Sequence, residues 1–372
     1  MVAQVRMGVR VLVPLGRSKT YTAMAVRLHS EKPEFETRPI IQVIDAEPVL
    51  IEQQLRLWQW ISTYYMSPIG DVFKAALPAG LKAEENYRPK TVRCVTLPAN
   101  LRSEQSLHMA LTILKRALKQ HQTFITYLEL SHWNEIDGDT PPAHIAEIAC
   151  DELQNAANAS DAVLRQLIQR NFLELYHREV GRLNTAGEYH PERIQPLSPA
   201  QKAAEDSISR QFNEKNVVLL HGVTSSGKTE IYIHLIKKAI DEGKQVLYLL
   251  PEIALTVQIM ERLHKVFGDR LGIYHSKYSD AERVEIWQKQ LSGHPYDVIL
   301  GARSAVFLPF QKLGLVIIDE EHETSFKQQD PAPRYHARSA AIVLANMYPE
   351  AKVLLGTATP SMESYYNAQQ GK

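Results

Sequence analysis

VVLLHGVTSSGKT, residues 217–229, runs from an apolar stretch into a glycine-bounded loop and ends on a lysine and a hydroxyl. The apolar stretch reads as a strand buried on both faces. Gly222-x-x-x-x-Gly227-Lys228-Thr229, at the end of that strand, has the spacing of a phosphate-binding loop. Each position has a mechanical reason. Gly222 and Gly227 let the backbone bend, so that N–H groups of Val223, Thr224, Ser225 and Ser226 point inward at phosphate oxygens. A helix starting near Thr229 aims its positive end at the same charge. Lys228 reaches the β- and γ-phosphates of ATP, and the Thr229 hydroxyl ligates Mg²⁺.

Strand and helix patterns alternate outward from this loop, from about residue 198 to the end. VVLLHG, QVLYLLP, LGIYHS, DVILGA, LGLVIIDEE and AKVLLGTATP are near-continuous apolar runs. Helical spacing fills most gaps, as in Ile231, Leu235, Ile236 and Ala239, closed by Gly243. The prediction is a doubly wound α/β domain. A phosphate loop needs an acid at the end of a neighbouring strand, and Asp319-Glu320-Glu321-His322 supplies it. Asp319 is placed to hold Mg²⁺, and Glu320 to orient or deprotonate the attacking water. GTATPS, residues 356–361, ends another strand at the edge where α/β sheets bind ligands.

Two further stretches sit at strand ends. LLPEIALT, residues 249–256, joins a strand to a helix, and GARSAVFLPF, residues 301–310, comes after DVIL. Their small residues, with Arg303, suit a grip on a sugar-phosphate backbone; plain connecting loops are the alternative. Residues 325–338 mix Phe326, Tyr335 and His336 with Lys327, Arg334 and Arg338. Aromatic faces for stacking and cations for phosphate are what single-strand binding requires. A solvated surface loop is the bland alternative.

Residues 1–98 open with alternating runs that read as strands, then a helix near 50–65, then the turn-rich SPIGDVFKAALPAGLK. This predicts a small, mostly β module. Residues 103–190 carry two helical patterns and a strand-like ending, compatible with a winged helix. Residues 183–200 read as a linker. The 372 residues balance 42 Lys+Arg against 42 Asp+Glu, so no whole-molecule charge points to nucleic acid. The first 32 residues nevertheless hold six cations and one acid. Either this is a nucleic-acid-facing surface or a solvated strand face. Two cysteines, Cys94 and Cys150, argue against a disulfide framework and an all-cysteine zinc site. With no apolar run long enough for a membrane span and no signal-peptide pattern, the expectation is a cytoplasmic protein without a membrane partner.

The order of phosphate loop, LLPEIALT, GARSA, DEEH, RYHAR and GTATPS resembles superfamily 2 helicases. More narrowly, DEEH followed by FKQQ and RYHAR resembles the primosomal protein N′ family, the replication-restart helicases of bacteria. VLVPLG, IIQVIDAEP and YYMSPIGDVFKAALP resemble that family's N-terminal module, which binds the 3′ end of a nascent DNA strand. LSPAQ, with Gln201, resembles its adenine-contacting segment. The resemblance implies a RecA-like lobe at 198–372, a 3′-end-binding module at 1–98 and a winged-helix module at 103–190. It implies ATP and Mg²⁺ as cofactors and 3′-to-5′ travel on forked and single-stranded DNA at stalled forks. It also implies single-stranded DNA-binding protein and other primosome proteins as partners. Gly16 and Arg38 are carried over as contacts to the 3′ end; Arg303, Phe326, Lys327, Arg334, Tyr335 and His336 are the DNA contacts that the residue chemistry of the lobe itself suggests.

The sequence departs from the family pattern in three places. Strands that usually precede VLVPLG are absent, which puts part of the 3′-end pocket in doubt. The family's RYHARD ends here on Ser339 instead of an acid. The chain stops soon after GTATPS, so the second lobe, its arginine finger and the zinc-binding cysteine-rich insertion are expected only beyond it. A nearly inactive motor is the expectation for this span alone. Two rivals remain: another superfamily 2 translocase, such as a restriction-enzyme motor subunit, and a DNA-binding adaptor switched by nucleotide without turnover.

Overall fold

The computed structural model describes residues 5–16, 19–82, 91–132, 147–179, 187–223, 226–252, 257–275 and 278–371. Thr224, Ser225 and residues 253–256 of LLPEIALT lie outside the described residues. The chain divides into two compact units, Met1–Tyr87 with Leu183–Lys372, and Arg88–Arg182.

The first unit opens with strands β1 (Arg10–Leu15) and β2 (Lys19–Met24), an antiparallel pair, with β3 (Gln42–Val43) on the other edge of β1. Arg10, counted among the N-terminal cations, faces no solvent. It is 2% exposed, pairs with Asp45 at 2.6 Å and donates to the Leu81 carbonyl at 2.9 Å. Helix α1 (Glu52–Tyr64) lies where a helix was expected. The turn-rich reading of SPIGDVFKAALP is corrected, because Ile69–Ala76 is helix α2. Pro68 sits at its N-cap, where a missing N–H costs nothing, and Val72 and Ala76 bury its inner face. The module is thus a small antiparallel sheet with two helices packed beside it.

Nor does the module stand apart from the lobe. Leu50, Leu57, Trp58, Ile61, Val72 and Leu77 share one core with Ile286, Trp287, Phe307 and Ile318. Trp287 donates its indole N–H to the Val49 carbonyl at 2.8 Å, and Gln54 donates to the buried Phe307 carbonyl at 2.6 Å. Asp280 accepts the backbone N–H groups of Ala79, at 2.7 Å, and of Gly80.

In the second unit, β4 (Thr91–Thr96) lies between β5 (Ile148–Ala149) and β6 (Glu174–Glu179), antiparallel to both. Helices α3 (Glu104–Leu114), α4 (Leu118–Leu130), α5 (Cys150–Ala157) and α6 (Asp161–Gln169) pack around Leu107, Phe124, Tyr127, Leu153, Leu164 and Leu167. The boundary placed at 98 is thus too late, since β4 pairs with β6 along its whole length. Cys94 and Cys150 are buried free thiols.

In the first unit, helix α7 (Pro199–Glu214) leads into β7 (Val217–His221) and helix α8 (Lys228–Asp241). Then come β8 (Gln245–Leu249), α9 (Val257–Phe267), β9 (Leu271–Tyr274) and α10 (Asp280–Leu291). The lobe closes with β10 (Val298–Gly301), β11 (Leu313–Asp319), α11 (Ala337–Ala345), β12 (Lys352–Thr357) and α12 (Met362–Gln369). The strands form one parallel sheet in the order β7-β12-β11-β8-β10-β9, the arrangement of a RecA-like lobe. Strand alternation splits the apolar side chains between two faces. Val218, Val246, Tyr248 and Ile317 join α8 and α9, while Leu247, Val316, Ile318 and Leu355 join α10 and α11. The end of the expected linker is packed: Tyr189 stacks on Phe267 at 6.2 Å, and His190 N–H bonds the Val266 carbonyl at 2.7 Å. Among the described residues no helix is long and apolar enough to cross a membrane.

Candidate active site

Sheet register brings the motifs to one edge. Asp319 pairs with Gly356, Gly356 with Leu220, and Thr357 with His221, so β7, β12 and β11 end side by side. Gly222 continues this alignment by donating its N–H to the Thr357 carbonyl at 3.1 Å. Gly227 caps α8 with φ +79°, a left-handed conformation that glycine adopts without strain. It thereby starts the helix with its N–H groups turned toward the loop.

Lys228 is buried, with its ammonium donating to the Gly222 carbonyl at 3.1 Å and lying 4.0 Å from Glu320 Oε1. Thr229 follows on the first turn of α8. Gln201 caps its own helix by accepting Ser198 N–H at 2.8 Å and donates to the Gly227 carbonyl at 3.2 Å. It thus touches the phosphate loop directly.

Asp319 is held by groups that sequence reasoning missed. Tyr232, one turn along α8 from Lys228, donates to Asp319 Oδ1 at 2.9 Å, and Tyr248 donates to Oδ2 at 3.4 Å. Burial pushes the Asp319 carboxyl above its ordinary range, opposed by the Tyr232 hydrogen bond. Burial, then the Asp319 charge, pushes both phenols well above theirs. Gly356 makes this arrangement possible, since a Cβ there would lie 1.8 Å from the Tyr232 hydroxyl. The signal was in the sequence as a tyrosine at i+4 from the loop lysine, but nothing local marks it as polar-facing.

Glu320 takes φ +49°, unusual for a residue with a Cβ. Anchors on both sides hold it there. Asp319 ends β11, and Glu321 is fully buried, accepting Ser361 N–H at 2.7 Å, Ser364 Oγ–H at 2.8 Å and an Arg338 N–H. His322 lies 2.8 Å from Thr357 Oγ1, and the Thr357 hydroxyl reaches Glu320 Oε2 at 3.5 Å. DEEH and GTATPS are thus tied together side chain to side chain. Among the described residues no cluster of three His, Cys, Asp or Glu gathers; the hard oxygen donor at this sheet edge is the Asp319 carboxylate, held by the Tyr232 and Tyr248 phenols.

The expected DNA contacts divide. Arg38 donates to the Gly16 carbonyl at the β1–β2 turn, which places the two residues side by side. The stacking roles of Phe326 and Tyr335 are corrected: both are fully buried, and Tyr335 packs on Phe307 at 5.0 Å. The residues are apolar first, and the core claimed them. Arg303 is corrected as well. Its guanidinium donates to the Ser325 and Lys327 carbonyls, at 3.3 and 3.1 Å, holding the loop rather than presenting a cation. His336 is half-buried, and its backbone N–H bonds the Tyr65 hydroxyl at 3.1 Å. Burial, then the Arg338 and Lys327 charges, holds its imidazole down to about 4, so it is neutral. Arg334 is exposed and Lys327 partly so.

Residues 1–78 match the family model described as 3′DNA-binding domain, and residues 92–180 that of the winged helix domain of PriA helicase in Bacteroidota. Residues 198–368 match the DEAD/DEAH box helicase model. Over 99% of its length the chain is 32% identical to the replication restart protein PriA of Bacillus subtilis. The chain belongs to the PriA replication-restart family. The PriA of Haemophilus influenzae is 35% identical, again over 99% of this chain. The chain spans about half the length of these PriA relatives, 51% and 47%. Among solved structures, RecG bound to a three-way DNA junction matches 72% of this chain and 30% of its own at 19% identity and a TM-score of 0.36.

Proposed function

We propose that this chain supplies the ATP-binding lobe and DNA-binding modules of a replication-restart helicase that moves 3′-to-5′ on DNA at stalled forks. The observation that carries it is the convergence of Lys228, Asp319 and Glu320 at one sheet edge, with the Lys228 ammonium 4.0 Å from Glu320. Lys228 exchanges its carbonyl partners for β- and γ-phosphate oxygens. Val223 to Ser226 offer backbone N–H groups, and Gln201 contacts the base. Thr229 and Asp319 would hold Mg²⁺, which neutralises charge on the transferring phosphoryl group. Glu320 orients the attacking water and accepts its proton. Gly16 and Arg38 meet the 3′ end. Single-stranded DNA-binding protein and other primosome proteins are the partners, in the cytoplasm. The matches at 1–78 and 92–180 favour this reading over a restriction-enzyme motor.

The test is ATP hydrolysis with and without forked DNA. It is measured on this chain and on one extended by the part of the Bacillus subtilis relative that it does not match. The extended chain should be stimulated by the fork, and Glu320→Gln should abolish turnover while nucleotide binding persists. Nucleotide binding that changes fork affinity without turnover in either chain would favour the adaptor.

A further inference from the structure

The buried Phe326 and Tyr335 leave the lobe's cations without the aromatic faces that single-strand binding needs. Such faces lie beside them, on the end of α1. Trp60 and Tyr64, one turn apart, stack with ring centroids 4.9 Å apart and planes 16° apart. Tyr65 meets Tyr64 edge-on at 4.9 Å and Trp60 at 5.9 Å. Tyr64 is 64% exposed, high for so large an apolar ring beside a packed core.

The cluster is fixed rather than loose. The Tyr65 hydroxyl accepts the His336 N–H, and the Lys327 ammonium sits 5.0 Å above the Tyr65 ring. Lys327 also donates to the Arg334 carbonyl, which closes the loop 327–336 on itself, so the Tyr65 contacts tie a fixed loop to the end of α1. Arg56 is exposed on α1 one turn before Trp60, so Arg56, Trp60 and Tyr64 form a helical stripe. Among the described residues no carboxylate pairs with Arg56, Lys327 or Arg334. The loop's own acid, Asp330, is exposed and pairs with none of them.

We propose that Trp60, Tyr64 and Tyr65, with Arg56, Lys327 and Arg334, form a stacking platform for single-stranded DNA. The ligand must offer flat faces and phosphates together. Duplex DNA keeps its base faces inside the stack, whereas a single strand presents both. A base continues the Trp60–Tyr64 stack while its flanking phosphates meet cations that no carboxylate neutralises, Lys327 and Arg334 giving up their carbonyl partners to do so. This inference rests on the reading of the chain as DNA-binding and adds where the single strand runs: across the seam between the N-terminal module and the loop that follows DEEH.

The test is fluorescence anisotropy with a labelled oligothymidylate and with a blunt duplex, on the full 372-residue chain. Tyr64→Ala should weaken oligothymidylate binding roughly 5- to 100-fold, because a base–aromatic stack is lost. Tyr64→Phe should keep it, and neither variant should change duplex binding. Lys327→Ala should lower the slope of log affinity against log salt by about 0.7, one phosphate contact on a single strand. Wild-type oligothymidylate affinity in Tyr64→Ala would overturn the platform, as would an equal loss on the duplex. Failure of the wild-type chain to bind either the oligothymidylate or a fork would instead overturn the DNA-binding reading beneath it.

Discussion

Removing Arg338 should destabilise the lobe far more than a surface arginine would. Its guanidinium, 13% exposed, donates to the Glu321 carboxylate, which is 0% exposed, and to Ser361 Oγ at 2.8 Å. The second carboxylate it meets, Glu363, is 79% exposed and contributes little. Breaking a buried pair by removing one partner leaves an uncompensated charge, a loss of about 3–5 kcal/mol. Glu321 keeps Ser361 N–H at 2.7 Å and Ser364 Oγ–H at 2.8 Å, so Arg338→Ala belongs at the low end, about 3 kcal/mol. Adding Glu321→Gln to Arg338→Ala should then restore roughly 1–2 kcal/mol, because the amide needs no counter-charge and still accepts Ser361 N–H. The assay is urea unfolding followed by tryptophan fluorescence, with Trp58, Trp60 and Trp287 in this unit reporting. Arg338→Ala within ~1 kcal/mol of wild type, or a double variant weaker than the single, would refute the reasoning. pH gives a second check. Burial raises the Glu321 carboxyl, but hydrogen bonds from Ser361, Arg338 and Ser364 outweigh it and hold it below its ordinary range. A depressed folded value stabilises above the unfolded pKa of about 4.3 and is lost as pH falls through the folded value. Wild type should lose stability in that acid window, and Arg338→Ala should have less to lose.

Gly356→Ala would put a Cβ 1.8 Å from the Tyr232 hydroxyl, so it should detach Tyr232 from Asp319 and weaken Mg²⁺-dependent nucleotide binding; unchanged binding by titration would contradict this. Arg38→Ala should weaken binding to a fork with a free 3′-hydroxyl and lower its salt slope by about one phosphate contact, and an unchanged slope would remove Arg38 from the interface. The wild-type chain should prefer that fork to one ending in a 3′-phosphate without needing ATP. Equal affinities would mean that Gly16 and Arg38 do not read the end.

The strands of the lobe were legible because parallel strands buried on both faces are continuous apolar runs, and the phosphate loop and DEEH because their chemistry is local in sequence. What escaped has no local signature. Composition marked Phe326 and Tyr335 as aromatic but not which side they face, and burial decided it. Arg303 looked free because its partners, the Ser325 and Lys327 carbonyls, are backbone atoms that any sequence supplies. Pro68, Gly70, Pro78 and Gly80 read as punctuation, yet both prolines sit at N-caps, where they start helical turns rather than end them. The docking of α1 on the lobe depends on Gln54 and Trp287, whose partners lie more than two hundred residues away. Tyr64 and Tyr65 gained meaning only when that docking set them beside Lys327.

The most direct test of the account is titration of the chain with a fluorescent Mg·ATP analogue, comparing wild type with Lys228→Ala, with fork binding measured on the same samples. Lys228 lies in the phosphate loop, while Gly16, Arg38 and the α1 aromatics lie outside it. Nucleotide affinity should fall at least about tenfold in Lys228→Ala, roughly the loss of one charge-assisted contact, and fork affinity should stay at the wild-type value. Equal nucleotide affinity in the two proteins would contradict the assignment of residues 222–229 as the nucleotide site.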